Sequence, residues 1–334
     1  MENDNWKIAQ NKRQEFLVEV IQPLLPFSKF SSTIHSGDYN NPSNSFHALL
    51  STNNLLKDSI YELKKSRRLI HFTSIQSISS IITNGFVRMT ELKALDDTRE
   101  LSYASKVFQE NPIFRHGEAI IDKSKSKLYC LSACLKTSKN LRDLYMWENY
   151  GAKGKGVILE FTLSNLNAHR FSTGLVRYGD ANLNIIRDLK LRAEHFYNKN
   201  NFFPNNPIEL FSVFKAFHKS LRFKNEKEIR LLFSSNEFGK NIYPTIYNDI
   251  NKKNKVTSYN KVFLKGRNPY PKTDTEIYPE ISIKKVVLGY DLKIEEKFEI
   301  AKFLSSLQNK NFSFQISHLN EELIERDLTQ LCKY

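Results

Sequence analysis

Cysteine is scarce: only Cys130, Cys134 and Cys332 occur among 334 residues. An odd count without a dense framework excludes a disulfide-stapled scaffold. Cys130 and Cys134 also lack the His and Cys companions that a zinc site needs, so they read as small core residues. Long apolar runs are missing too. No stretch of about eighteen apolar residues exists, and the chain opens on the polar Met1-Glu2-Asn3-Asp4, so neither a membrane span nor a signal peptide is expected. These absences imply a cytoplasmic protein. There is no internal repeat, no low-complexity tract, and no helix-turn-helix, zinc-finger or RNA-binding signature. Gly154-Lys155-Gly156 is not a phosphate loop, because it lacks the terminal Gly-Lys-Ser/Thr spacing and precedes a strand where a Walker loop follows one. Carboxylates are available, but no clustered spacing marks a metal pair, which weakens a metal-dependent nuclease reading.

Acidic residues are in deficit: 36 Asp and Glu face 50 Lys and Arg, for a net charge of +14. Basic clusters sit at Lys64-Lys65-Ser66-Arg67-Arg68, from Lys123 to Lys127, and at Lys252-Lys253-Asn254-Lys255. Such a surplus favours polyanionic partners, nucleic acid or a phosphate-bearing ligand, with Lys64, Lys65, Arg67 and Arg68 the foremost candidates for phosphate contact. The joint richness in Lys, Asn, Ile and Phe is also what an AT-biased genome produces. Apolar and aromatic content is ordinary for a globular chain, and the length suits one large domain or two small ones.

Periodicity predicts a helix over Trp6–Leu25 ending at Pro26, a polar loop through Asn44, and a second helix over Phe46–Lys65. Residues 1–66 therefore read as a helical N-terminal extension, 67–320 as the core domain with a polar insertion around 236–278, and 321–334 as a C-terminal tail. In the core, Arg68–Thr73 is strand-like. Ser74 is placed to cap a helix with Ile75, Ile78, Ile81 and Ile82 on one face, stopped at Asn84-Gly85. Strands are expected at Phe86–Met89, Leu128–Leu135, Val157–Phe161, Gly174–Tyr178, Ile281–Gly289 and Phe312–Ile316. Helices are expected to about Glu110, over Leu141–Tyr150, Asn182–Tyr197 and Pro207–Leu221, and over Ile294–Leu307. Strands and helices mix without strict βαβ alternation, which predicts an α+β fold with a mixed, largely antiparallel sheet and flanking helices.

The chemistry-bearing stretch is Arg222-Phe223-Lys224-Asn225-Glu226-Lys227-Glu228-Ile229-Arg230-Leu231-Leu232-Phe233. If it is extended from Glu226 onward, Glu226, Glu228 and Arg230 share one face. Two carboxylates and a guanidinium at a strand entrance make a candidate site, since like charges and a nearby cation tune carboxyl pKa values. A solvated strand face with an ordinary ion pair is the alternative. A group at a strand entrance is expected to stay partly solvated.

Several fragments then occur in order. They are Ile70-His71-Phe72-Thr73-Ser74 with Ile82-x-x-Gly85, Leu95-Asp96-Asp97-x-x-Glu100, Leu131-Ser132, Met146-Trp147-x-x-Tyr150-Gly151 with Lys155-Gly156-Val157, Phe223-Lys224-x-Glu226-x-Glu228-x-Arg230, and Ile283-x-x-Val286-x-Leu288-Gly289. The succession resembles the bacterial family known as domain of unknown function twenty-nine seventy-one over roughly residues 68–316, although that family more often has Asn-Asp where this chain has Asp96-Asp97. The opening His-x-Thr and Ile-x-x-Gly, with Glu-x-Glu before a strand, are more distantly similar to ADP-ribosyltransferases of the DNA-targeting toxin type. That resemblance implies NAD as substrate, Glu228 as catalytic carboxylate and Glu226 as its partner or acceptor-directed base. It also implies His71 and Thr73 on the ribose, Tyr145, Trp147 and Tyr150 stacking on nicotinamide or adenine, and Arg230 beside them. A satisfied core histidine is the other reading of His71, and packing of the helix on the sheet the other reading of the aromatics.

Two functions from different classes follow. One is an NAD-dependent ADP-ribosyltransferase, a toxin or phage-defence effector acting on nucleic acid or protein. The other is a non-catalytic nucleic-acid-binding or regulatory module in which the Glu–Arg face is only a strand exterior.

Overall fold

The computed structural model describes residues 2–35, 46–50, 54–64, 67–95, 101–109, 125–164, 166, 171–202, 207–235, 246–250, 255–269, 278–309 and 312–328. Helix α1 (Glu2–Phe16) runs into a π turn at Leu17–Ile21, and strands β1 (Phe30–His35) and β2 (Phe46–Leu50) pair antiparallel. There follow β3 (Leu69–Thr73), α2 (Ile75–Asn84), β4 (Phe86–Glu91), α3 (Ser102–Gln109), β5 (Leu128–Leu135), α4 (Ser138–Leu141) and α5 (Leu144–Tyr150). Next come β6 (Val157–Leu163), β7 (Phe171–Leu175), β8 (Arg177–Tyr178), α6 (Asn184–Asn200), α7 (Pro207–Lys215), β9 (His218–Lys219) and β10 (Glu228–Ser234). The chain closes with β11 (Tyr247–Ile250), β12 (Val256–Phe263), β13 (Ile281–Leu288), α8 (Ile294–Ser306), β14 (Gln315–Leu319) and β15 (Glu325–Asp327). The fold is α+β, with an 11-stranded sheet that is antiparallel except where β13 meets β14.

The sheet forks at β5. One edge of β5 takes β10 along its full length, from Glu228↔Cys134 to Ser234↔Leu128, and β7 lies beyond β10. The other edge is divided. β4 holds its first half (Thr90↔Cys130, Glu91↔Tyr129) and carries β12 and β11. β3 holds its last residues (Leu69↔Leu135, Ile70↔Cys134) and carries β6, β13, β14 and β15. Residues Leu131–Ala133 pair with neither β3 nor β4.

Three apolar cores flank this sheet. Leu69, Leu131, Ala133, Leu159, Ile229, Leu231 and Phe233 face a core closed by Ile78 and Ile82 of α2 and Ala301 and Leu304 of α8. On the opposite face, Ile70, Phe72, Cys134, Ile158 and Val287 pack with Leu141, Met146 and Trp147. The third core joins the N-terminal segment (Phe16, Leu17, Val20, Ile21) to α6 and α7, and includes Cys130 and Leu232. Ser132, Glu228 and Arg230 therefore form a polar seam between the second and third cores, on the same side as both.

Local chemistry explains several boundaries. Ser74 caps α2 by accepting the Ser77 N–H, and Gly85 ends it at φ 76°. The glycines near residue 150 serve close backbone approach: a Cβ on Gly289 would lie 1.9 Å from the Gly154 carbonyl oxygen, and one on Gly156 2.4 Å from that of Thr73. Other expectations fail. Among the described residues of Phe46–Lys65 there is no helix; β2 and a series of turns stand there, and Leu50, Leu55, Leu56 and Tyr61 are buried in the third core instead of lining a helical stripe. The loop expected after Pro26 contains β1. The polar stretch expected at 236–278 contributes β11 and β12, where Tyr259, Val262 and Phe263 pair with β4. The helix expected to reach Leu221 stops at Lys215, and β9 and a 3-10 turn (Leu221–Glu226) follow.

Candidate functional site

Glu226 is not extended. It ends the 3-10 turn, and Lys227 adopts a left-handed φ of 45° before β10 begins at Glu228. The two carboxylates still converge, because the turn folds Glu226 back toward Lys219 of β9. Lys219 Nζ lies 2.8 Å from Glu226 Oε2 and 2.8 Å from Glu228 Oε2. Arg230, fully buried at 0 % exposure, donates from Nε to Glu228 Oε1 at 2.8 Å and from Nη2 to Oε2 at 3.0 Å. Its Nη1 donates to the Ala216 carbonyl. The Ser132 hydroxyl, opposite Arg230 on β5, donates to Glu228 Oε1.

Counting donors separates the two carboxylates. Each Glu228 oxygen accepts from two groups: Ser132 and Arg230 on Oε1, Arg230 and Lys219 on Oε2. A carboxylate offers about four lone-pair sites, so Glu228 is saturated. Glu226 accepts from Tyr150 Oη on Oε1 at 2.6 Å and from Lys219 on Oε2, one donor per oxygen among the described residues. It retains capacity on both.

Burial would push the Glu228 carboxyl up, but Arg230 and Lys219 more than offset this and hold it at about 2. Burial, together with the Glu228 and Glu226 charges, pushes the Cys134 thiol up to about 12. Burial and the bond to Glu226 raise Tyr150. Burial, then Glu226, raise Tyr145. Tyr178 on β8 accepts the Glu228 backbone N–H at 2.8 Å. The partly solvated carboxylate expected at the strand entrance is not found: Glu228 is 4 % and Glu226 5 % exposed, so a Glu228 substitution bears on folding as well as on chemistry.

Among the expected site residues, Glu226, Glu228, Arg230, Tyr145 and Tyr150 come together. Trp147 does not join them. It is 0 % exposed, packed edge-on against Phe72 and Tyr290, with its Nε1 donating to the Leu141 carbonyl. An indole so enclosed packs α5 onto the sheet and offers no face to a ligand.

His71 and Thr73 are also elsewhere. Ile70 and Glu228 are both register partners of Cys134, so those three share a face, and His71 and Thr73 point to the other. His71 Nδ1 bonds the Ser132 carbonyl at 2.8 Å, across the unpaired part of β5, and burial lowers its pKa. It is half-buried, with its Nδ1 held by the neighbouring strand.

The basic cluster is only partly free. Arg68 bonds the fully buried Glu160 at 2.8 Å, and Lys136 stands 3.3 Å from the same carboxylate. Lys64 and Arg67 are exposed. Lys65, and the Asp96-Asp97 and Glu100 positions, lie outside the described residues. No group of three or more His, Cys, Asp or Glu among the described residues has metal-holding geometry. No helix among them is long and apolar enough to cross a membrane.

A cleft of about 600 Å³ adjoins the cluster, lined by Tyr103 and Lys106 of α3, Asp180, His218 and Lys219, and Leu221 and Phe223 of the 3-10 turn. Lys219 belongs to both the cleft and the carboxylate pair. Sequence reading missed Lys219, Tyr178, Ser132 and His218 as site residues. Ser132 alone had a signal, since it shares a face with Cys130 and Cys134 in the alternation of β5.

Residues 146–231 match the model of the family described as protein of unknown function (DUF2971). That stretch carries Tyr150, Tyr178, His218, Lys219, Glu226, Glu228 and Arg230. No curated protein and no solved structure matches the chain.

Proposed function

We propose that this chain of the DUF2971 family is an ADP-ribosyltransferase-like enzyme that acts on NAD beside Glu226. One observation carries the reading: the Glu226-x-Glu228 pair shares Lys219, with Tyr150 bonded to Glu226. In such a reaction the bond between nicotinamide and ribose C1′ breaks, and its electron pair leaves with nicotinamide. The ribose develops oxocarbenium character, as in glycoside hydrolysis. The acceptor then bonds C1′ and gives up its proton. A fixed carboxylate stabilises the developing charge. Glu226 suits this part because it has accepting capacity left. Glu228 serves as the positioning residue that fixes Lys219, so the roles inferred from resemblance are exchanged. Tyr145 and Tyr150 supply rings for nicotinamide or adenine. His71, Thr73 and Trp147 have no part in it. Exposed Lys64 and Arg67 fit recruitment of a nucleic-acid acceptor, in keeping with a toxin or phage-defence effector.

The saturation of Glu228 and the placement of His71 on the opposite face favour a second reading, a non-catalytic binding or regulatory module. NAD separates the two. A ligand that binds only the folded chain stabilises it by about 2.7 kcal/mol at a hundredfold excess over Kd. On the enzyme reading, millimolar NAD raises the thermal midpoint of the wild type, and Glu226→Gln keeps most of the rise. No rise with NAD at any concentration sinks the enzyme reading and leaves the module.

A further inference from the structure

The cleft beside Lys219 has an unfinished hydrogen-bonding floor. His218 is 1 % exposed and lines the cleft. Its Nε2 is 2.7 Å from the Tyr61 hydroxyl, and its Nδ1 has no partner among the described residues. Tyr61 is itself buried, and burial raises its pKa, so it keeps its proton and needs an acceptor. Nε2 is that acceptor, which puts the imidazole proton on Nδ1. Burial and the neighbouring Arg177 lower His218 to about 4, so the ring is neutral. Arg177 is the register partner of His218 across the parallel β8–β9 ribbon. Its Nε is a second buried donor without a partner among the described residues. His218 lines the cleft and Arg177 stands on the paired strand outside that lining; two unpaired N–H donors on register partners call for an acceptor with several oxygens, because a buried orphan donor is costly.

The surroundings define the rest of the ligand. Lys106 is paired with Asp180, the single acidic lining residue, which also accepts from Tyr103, and Lys219 is shared by Glu226 and Glu228 behind the wall, so the lysines offset these carboxylates and leave an anion's charge to Arg177. Phe223, Leu221 and Tyr103 add apolar and aromatic wall. A volume of about 600 Å³ exceeds what an inorganic anion fills and suits a small organic ligand.

We infer that this cleft binds a phosphate monoester with a planar ring, of the nucleoside-monophosphate class, its phosphate on Arg177 and His218 and its ring against Phe223. The inference does not depend on NAD being consumed, since the probe carries no nicotinamide.

The test is calorimetric titration of the full chain with AMP and, separately, with inorganic phosphate. The wild type binds AMP more tightly than phosphate. Arg177→Met, which keeps length but removes every donor, weakens both by about tenfold or more, in line with the loss of a charged hydrogen bond. Phe223→Ala weakens AMP and leaves phosphate unchanged. In the wild type, the His218 Nδ1–H resonance moves on addition of either probe. His218→Phe leaves Tyr61 unpaired and risks the fold, so the Arg177→Met arm decides. Absence of AMP binding, or equal binding by wild type and Arg177→Met, overturns the site. Equal affinity for AMP and phosphate overturns the ring-bearing class.

Discussion

Arg230→Met will lower the unfolding free energy by about 3–5 kcal/mol, the penalty for stripping one partner from a buried ion pair. The guanidinium is fully buried, and it satisfies both oxygens of Glu228 and the Ala216 carbonyl. Without it, Glu228 keeps only Lys219 and Ser132, and the Ala216 carbonyl loses its Arg230 donor. Denaturant unfolding measures the loss as a shift in midpoint. Removing both partners, in Arg230→Met/Glu228→Leu, will cost less than the two single changes summed, because no buried charge is left behind. A loss below about 1 kcal/mol for Arg230→Met would show the pair to be solvated.

Glu228 makes the same pair visible in acid. Its carboxyl lies at about 2 in the fold against an ordinary 4.5. Its contribution is therefore complete above about 4.5 and is lost as pH falls from there toward 2. A difference of that size is worth roughly 3 kcal/mol at ~1.4 kcal/mol per tenfold change in proton affinity. The stability gap between wild type and Glu228→Gln should accordingly be widest near neutrality, narrow below about 4.5 and close toward 2.

How much of this was legible in the sequence depends on the range over which each feature is decided. Local features were: the Ser74 cap and Gly85 stop of α2, the alternation of β5, and the apolar run of β10. Pairing between distant strands was not. Parity within β3 is readable, but that Ile70 and Glu228 both pair with Cys134 is set by tertiary order, and it put His71 on the wrong face for a shared site. The Glu226–Glu228 convergence was foreseen for the wrong reason, since strand periodicity was assumed where a left-handed Lys227 bends the chain. Lys219, His218 and Arg177 belong to two two-residue strands, β8 and β9, too short to leave a period. For Trp147 both readings stay open in the sequence, because a short aromatic helix gives no sign of which face the sheet covers, and packing is the one the structure bears out. The family match at 146–231 covers the segment where local reading was weakest.

Glu226→Gln will reduce turnover of NAD by about a hundred- to a thousandfold while changing KM little, since a contact formed with the developing ribose cation acts on kcat. The substitution preserves shape but keeps one acceptor: with the amide oxygen on Lys219, the amide N–H group faces the Tyr150 hydroxyl, which then accepts instead of donating. Tyr150→Phe removes the donor to Glu226 Oε1 and should cost turnover less, because Lys219 still holds Oε2. Steady-state kinetics on both variants, with folding verified by the same denaturant curves, reads the split. An unchanged kcat in Glu226→Gln removes the catalytic role from that carboxylate.

The most direct measurement is nicotinamide release from NAD by the wild-type chain, followed alongside transfer of labelled ADP-ribose to DNA, RNA and protein acceptors. The account predicts release in step with labelled acceptor or free ADP-ribose, nearly abolished in Glu226→Gln. A folded wild type that releases no nicotinamide with any acceptor would contradict it, and the carboxylate pair would then be a structural clamp on Lys219 and Arg230.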